Sequence, residues 1–406
     1  MILDSISLVD CLVFVLFLIP QLLIQAGLYQ TLLLLKVVPF LICRLPYQLI
    51  SERYFTRKEN QTPFVKNATF FQDLVIRCVR YAFAKMPASV GRVFFSKQVA
   101  YPFFRWRLLR QGYLESSISY QEVDKRGLKG LWIVPRQSEK PDIVIYYCHG
   151  GGFSMGSSYF YLEFLIAWIT CLKDRGFHNP AVFALEYTLV PDATWPTQFE
   201  ETRLGYEFLC EFMGNTEQIC VSGDSAGATL VLSLLLSMDK QSGLEPPGLA
   251  VLVSPWTHLF SRLNQNTPSD YLDRDALHLY ARQYVGEAPI DDDPANPSLL
   301  QDEKRQVFST SDKLISPGLN THWKDTAPQK GFCIIHGSEE VFTPGIQQMV
   351  KSMRRDGVNV RVRNEVQGGI HAWPVVNLFL GQSREERLKG LDIMTDYVVS
   401  NISIGD

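Results

Sequence analysis

Ser225 sits at the centre of Gly223-Asp224-Ser225-Ala226-Gly227, a Gly-x-Ser-x-Gly segment. A serine hydroxyl is a weak nucleophile until a base takes its proton. A sharp strand-to-helix turn exposes such a hydroxyl at the top of a sheet, and glycines two before and two after keep the crowded backbone clear. The flanking runs fit that setting, because Gln218–Ser222 reads as a strand and Ala226–Met238 as a helix. The helix N-terminus adds positive potential where an oxyanion would form. The chemistry this points to is acyl transfer.

His149-Gly150-Gly151-Gly152-Phe153 directly follows the apolar run Ile143–Cys148. Successive glycines let backbone N–H groups approach a substrate oxygen, so Gly151, Gly152 and Ala226 are the expected oxyanion donors. His149 and Gly150 support the loop. A phosphate-binding loop would need Gly-Lys-Ser/Thr or Gly-x-Gly-x-x-Gly, and neither accompanies it. The base and its carboxylate should follow the serine in the order Ser, acid, His. Downstream histidines are His258, His278, His322, His336 and His371. His371, in Gly368-Gly369-Ile370-His371-Ala372-Trp373, lies on a loop after the strand Val358–Arg363 and suits a base reaching back to Ser225. His336 ends a strand and reads as structural, while the other three fall in an irregular insertion. The acid belongs on the loop after Phe332–His336, where Glu339 and Glu340 are adjacent and only one can face His371.

The elements that position these residues alternate. Strands are expected at Ser117–Val123, Gly130–Val134, Ile143–Cys148, Ala181–Glu186, Gln218–Ser222, Leu249–Ser254, Phe332–His336 and Val358–Arg363. Helices are expected at Tyr159–Leu172, Phe199–Phe212, Ala226–Met238 and Arg384–Val399. This is an α/β pattern: a mostly parallel sheet flanked by helices over residues 117–406. Regularity lapses over 256–330, around Asp291-Asp292-Asp293-Pro294, as expected of a cap insertion over the strand ends. Residues 51–116 read as a helical linker that also caps the site. With 46% apolar and 20% charged residues, the 406-residue chain can bury a sizeable core. A net charge of −3 and no basic block give no reason to expect a nucleic-acid partner. The eight cysteines form no Cys-x-x-Cys pair, so no metal site is expected. Most read as reduced core residues, and Cys210–Cys220 is the one bridge open to a luminal domain.

Residues 1–50 read as a membrane anchor. Cys11 to Leu35 carries no charge and exceeds the roughly 20 apolar residues a bilayer core requires. A cleaved signal would start basic and end at small residues, whereas Asp4 and Asp10 stand at this start. A monotopic or re-entrant hairpin is the other geometry open to such a run. Lys36, Arg44, Arg53, Arg57 and Lys58 follow it and favour a cytosolic C-terminal bulk. Asn60, Asn67 and Asn401 head glycosylation sequons, which require a luminal one. From the residues alone the side stays open.

His149-Gly-Gly-Gly-Phe153 with Gly223-Asp-Ser-Ala-Gly227 resembles the hormone-sensitive-lipase group of α/β-hydrolases. Glu186-Tyr187-Thr188-Leu189-Val190-Pro191, Pro196 and Val253-Ser254-Pro255-Trp256 resemble recurring stretches of the same group. The resemblance covers Ser117 to the C-terminus. It implies an α/β-hydrolase fold, a Ser-acid-His triad, and hydrolysis without metal or cofactor. It also selects Glu340, which precedes Phe342 as the family's acid precedes a large apolar residue. Here the acid is Glu rather than Asp, and Thr343-Pro344-Gly345 replaces the usual acidic pair. Anchor and catalytic region together are similar to the steryl acetyl hydrolases of the endoplasmic reticulum. That likeness implies a luminal single-pass enzyme that takes a lipophilic ester from the membrane. Alternatives are an esterase or acyltransferase for acetylated secondary metabolites and a non-catalytic binding protein of the same fold. Ser225 and His371 argue against the last.

Overall fold

Val144–Cys148, Ala181–Leu185 and Leu249–Val253 are buried at every position, as strands covered on both faces must be. The computed structural model describes residues 1–125, 127–238, 243–287 and 307–403. The expected Asp291-Asp292-Asp293-Pro294 turn lies outside them. Among the described residues the sheet has eight strands: β1 Ser119–Lys125, β2 Leu128–Val134, β3 Val144–Cys148, β4 Ala181–Leu185, β5 Ile219–Asp224, β6 Leu249–Val253, β7 Phe332–Gly337 and β8 Val360–Glu365. Their spatial order is β1-β2-β4-β3-β5-β6-β7-β8. β2 runs antiparallel to both neighbours, and the ladders from β4 through β8 are parallel. The expected strands are all present, with ends shifted by at most two residues.

Side chains alternate between the faces of the sheet with period two. Tyr146, Val221, Leu252 and Ile334 join one apolar cluster, under helices Thr197–Met213, Ser225–Leu236 and Thr343–Arg355. Tyr147, Cys220, Val251 and Cys333 join the other, under Ser158–Asp174, Trp373–Leu380 and Arg384–Asn401. Cys210, on the helix Thr197–Met213, therefore packs on the face opposite Cys220. The bridge left open between them does not form, and all eight cysteines are free thiols.

After β3 the chain turns to β4 on one side, then crosses to β5 on the other. Ligands bind at such switch points, outside the carboxyl ends of the strands. The loops after β3 and β5 are the His149–Phe153 and Ser225 segments. Topology thus places the two glycine motifs side by side.

Two features add to the sequence reading. The insertion is not wholly irregular, because Arg274–Tyr284 is a helix with Asp273 as its N-cap. Leu277, Tyr280, Ala281 and Tyr284 form its buried stripe, a helical spacing legible in the sequence. The boundary expected at 116/117 is also crossed by packing, since Leu3, Phe104 and Leu108 are core residues of the second cluster. At the N-terminus, Leu8–Leu32 and Leu34–Phe55 are two helical stretches long and apolar enough to cross a membrane.

Candidate active site

Ser225 begins the helix Ser225–Leu236 with φ 52°, a left-handed conformation that a non-glycine residue rarely adopts. The glycine requirement has a direct cause at Gly227, where a Cβ would lie 2.0 Å from the Cys148 carbonyl oxygen. The helix thus abuts the end of β3 and brings Ser225 beside the glycine loop. Phe153 (φ 62°), Ser254 (φ 44°) and Ala372 (φ 49°) are the other described non-glycine residues with positive φ. They follow β3, β6 and the His371 loop, so the backbone strain gathers around one site.

Asp224 ties the loops together. Its carboxylate accepts from the Tyr147 hydroxyl at 2.8 Å, the Tyr161 hydroxyl at 2.7 Å and the Gly150 amide at 2.8 Å. Burial raises its pKa against those donors. Gly150 is thereby committed to structure. The amides of Gly151, Gly152 and Ala226 meet no acceptor among the described residues. At Gly151, with φ 118°, a Cβ would sit 2.0 Å from the Met155 carbonyl oxygen. His149 donates from Nδ1 to the Gly150 carbonyl at 2.8 Å and stacks on Tyr187. Burial lowers its pKa to about 4, so it is neutral and braces the loop.

His371 and Glu340 meet. His371 Nδ1 lies 3.0 Å from Glu340 Oε2, and Glu340 Oε1 accepts the Gly337 amide at 2.8 Å. Both residues are buried. Glu339 is half-buried and accepts instead from the Ser269 hydroxyl at 3.2 Å. Burial pushes Glu340 up to about 7, opposed by His336, the Ser254 hydroxyl and the Gly337 amide. Burial lowers His371, opposed by the charges of Asp270 and Asp224. Burial is the first cause of both shifts. The 3.0 Å contact is what orients the imidazole.

The bridge Ser254–Trp256 connects base to serine. Ser254 Oγ accepts the Ala372 amide at 2.9 Å, and the Trp256 amide donates to the Ser225 carbonyl at 3.2 Å. Asp270 is a second clamp. Its Oδ1 accepts the His371 amide at 3.0 Å and its Oδ2 the Val341 amide at 2.9 Å, joining base loop to acid loop. Burial pushes Asp270 up to about 6. Sequence reading missed these roles. Ser254 stood in a recognised stretch without a function, Asp224 passed as a variable position of the serine motif, and Asp270 has no local pattern around it.

The remaining predicted residues lie elsewhere. His336 is buried 3.8 Å from Glu340 Oε1. His258 bonds Thr257, His278 stacks on Phe260 and His322 bonds Thr321; none of these contacts involves Ser225, Glu340 or His371. Asn60 and Asn67 are exposed, and Asn401 is half-buried. Above the site, Tyr280 faces Gly152. Phe83 packs edge-on against Tyr271 and Tyr280 at 6.3 and 5.9 Å, and Tyr271 meets the His371 ring at 5.7 Å. Arg80 Nε donates to the Asp270 carbonyl at 2.6 Å. Residues from the helix Phe70–Lys85 and from the insertion therefore roof the site.

Among solved structures, the chain is similar to a hormone-sensitive lipase from a metagenome library. The TM-score is 0.61 at 19% identity, covering 82% of this chain and 98% of that one; a likeness at this identity is one of fold. Hormone-sensitive lipase of Homo sapiens is 30% identical over 123 residues, 29% of this chain and 11% of that protein. Esterase LipI of Mycobacterium tuberculosis is 29% identical over 168 residues, 40% of this chain and 50% of its own length. The acetyl-hydrolase of Streptomyces hygroscopicus is 30% identical over 128 residues, 32% of this chain and 40% of that protein. The chain thus spans half or less of these relatives. The pattern of the alpha/beta hydrolase fold matches residues 145–375, from β3 past His371. That match takes in both glycine motifs, the acid loop and the base loop over more than half of the chain, which therefore belongs to the alpha/beta hydrolase fold family.

Proposed function

We propose that this protein is a serine carboxylic-ester hydrolase. The observation that carries the reading is the buried His371–Glu340 contact at 3.0 Å, bridged through Ser254–Trp256 to the strained Ser225. His371 Nε2 takes the Ser225 proton as Oγ attacks the ester carbonyl carbon. The imidazolium keeps its Nδ1–H on Glu340. The amides of Gly151, Gly152 and Ala226 hold the oxyanion, and removing one such donor costs about 2.7–4 kcal/mol in the transition state. The imidazolium then protonates the leaving alcohol. Water, deprotonated by His371, releases the acid from the acyl-serine.

The substrate is a lipophilic ester with a small acyl group, acetyl on a sterol-like alcohol being the leading case. The aromatic roof of Phe83, Tyr271 and Tyr280 supports an apolar alcohol, and a relative named acetyl-hydrolase supports the acyl group. The exposed sequons at Asn60 and Asn67 support a luminal site at the endoplasmic reticulum. Ser225→Ala should abolish p-nitrophenyl acetate hydrolysis and fluorophosphonate labelling with an unchanged circular dichroism spectrum. Retained turnover would refute the assignment, and a glycosidase-induced mobility shift tests the luminal side.

A further inference from the structure

The two apolar N-terminal helices bear a face that the rest of the described chain leaves uncovered. Leu12, Leu16, Ile24, Leu28, Ile42 and Phe55 are each more than 60% exposed. A continuous apolar surface of this kind marks a membrane or protein contact.

Both ends of the segment are fastened to the catalytic body. Leu3 is buried in its core, the Ile6 amide donates to the Phe379 carbonyl at 2.8 Å, and Arg387 pairs with Asp4 at 3.3 Å. At the far end, Glu52 pairs with Arg77 at 2.7 Å and Arg53 with Asp73 at 3.2 Å. The middle is fastened as well. Asp10 is fully buried against Arg107 and Arg110. Phe14 packs on Phe94 and Phe103, and Leu22 on Val90 and Val93. The Lys36 carbonyl accepts the Tyr81 hydroxyl, and Phe40 stacks on the same ring at 4.0 Å.

The helices that receive these contacts are polar. Lys97–Arg110 carries Arg105, Arg107 and Arg110, and Phe70–Lys85 carries Asp73, Arg77 and Arg80. Charged residues are costly inside a bilayer. Neither apolar stretch can therefore cross a membrane while holding these neighbours. An amphipathic surface that lies flat buries its apolar side at the headgroup–acyl boundary instead.

We propose that residues 8–55 form a monotopic anchor lying in one leaflet, with Met1, Lys36 and the catalytic body on the same side, in place of the single span expected from sequence. The occupant of the uncovered face is lipid. The helix Phe70–Lys85 then separates lipid from the catalytic loops, touching the anchor through Tyr81 and the site through Arg80 and Phe83. This inference rests on the apolar face and its fastenings, not on the ester-hydrolase reading.

The test uses the full chain in sealed microsomes, with epitopes before Met1 and after Asp406. A Lys36→Cys variant is labelled by a membrane-impermeant maleimide and read by peptide mapping, apart from the native thiols. All three positions should respond alike before detergent is added. Met1 opposite Asp406 would establish a single span, and Lys36 opposite both would establish two; either overturns the proposal. Flotation with phosphatidylcholine vesicles gives a second measurement. Leu12→Glu/Leu16→Glu/Ile24→Glu should bind at least tenfold less than the parent, whereas Phe212→Glu on the far helix should bind as the parent does. The triple variant should keep its near-UV spectrum and hydrolyse soluble p-nitrophenyl acetate within twofold of the parent. Undiminished flotation refutes the anchor. A parent that fails to float but forms a dimer, made monomeric by the triple substitution, assigns the face to a second copy instead. Loss of hydrolysis by Ser225→Ala material that still floats separates the two readings.

Discussion

Asp270→Asn separates what the site needs from what the fold needs. Burial pushes the Asp270 carboxyl up to about 6, above the ordinary aspartate value of about 3.9. That is roughly two units, or about 3 kcal/mol, by which the native state disfavours the ionised form. Because the folded pKa lies above the unfolded one, the native state holds its proton more tightly. Stability relative to a non-titrating residue is therefore highest below about pH 4 and is lost as pH rises through 6. Asparagine has no charge to bury, but its amide N–H₂ would replace the acceptor either of Val341 N or of both His371 N and Tyr271 N, leaving at least one backbone donor without a partner. Leaving that donor unmet costs about 1–3 kcal/mol. The variant should then be less stable than the parent at pH 4 and equal or more stable at pH 8, with the difference changing sign in between. Activity should not follow stability. The clamp joins base loop to acid loop, and a displacement near 1 Å costs on the order of 100-fold, so kcat/KM at pH 8 should fall about 10- to 100-fold. Removing a negative charge near His371 and Glu340 also favours their less protonated forms, moving the acid limb of the profile to lower pH. The assays are urea unfolding at several pH values and kcat/KM against pH on p-nitrophenyl acetate. A pH-independent stability difference, or full activity with an unmoved acid limb, would refute the clamp.

Glu340→Gln should lower kcat/KM by about 10³–10⁴, the scale set by losing the carboxylate behind a catalytic imidazole, while Glu339→Gln stays within about threefold; equal effects would reassign the acid. In the parent, burial holds Glu340 at about 7, so the carboxylate that orients His371 is present above that pH, and kcat/KM should decline as pH falls through neutrality. Gly227→Ala should prevent accumulation of folded protein, because its Cβ would lie 2.0 Å from a backbone oxygen; soluble, active material on size-exclusion chromatography would contradict the close approach.

Several features were legible in the residues because their causes are local. Buried strands such as Val144–Cys148 announce themselves as apolar runs, and Gly223 to Gly227 encodes a turn whose steric demand falls within five residues. Ser225, His371 and the glycine loop followed from that punctuation and from chain order. The choice of Glu340 over Glu339 rested on likeness to a family. In the fold, Glu340 on the loop after β7 is buried against His371, whereas Glu339 is half-buried and faces Ser269.

The sequence by itself determined the strand–helix alternation, the serine turn and an apolar N-terminal segment, since each depends on neighbours a few residues apart. Tertiary structure alone decided what Asp224, Ser254 and Asp270 do, because their partners lie 74, 118 and 101 residues away. It also decided what one face of the N-terminal segment touches. Hydropathy counts apolar residues along the chain, but whether a helix crosses a bilayer or rests on one depends on what its other face touches. Here that face holds Asp10 against Arg107 and Phe40 against Tyr81, contacts that no local pattern encodes.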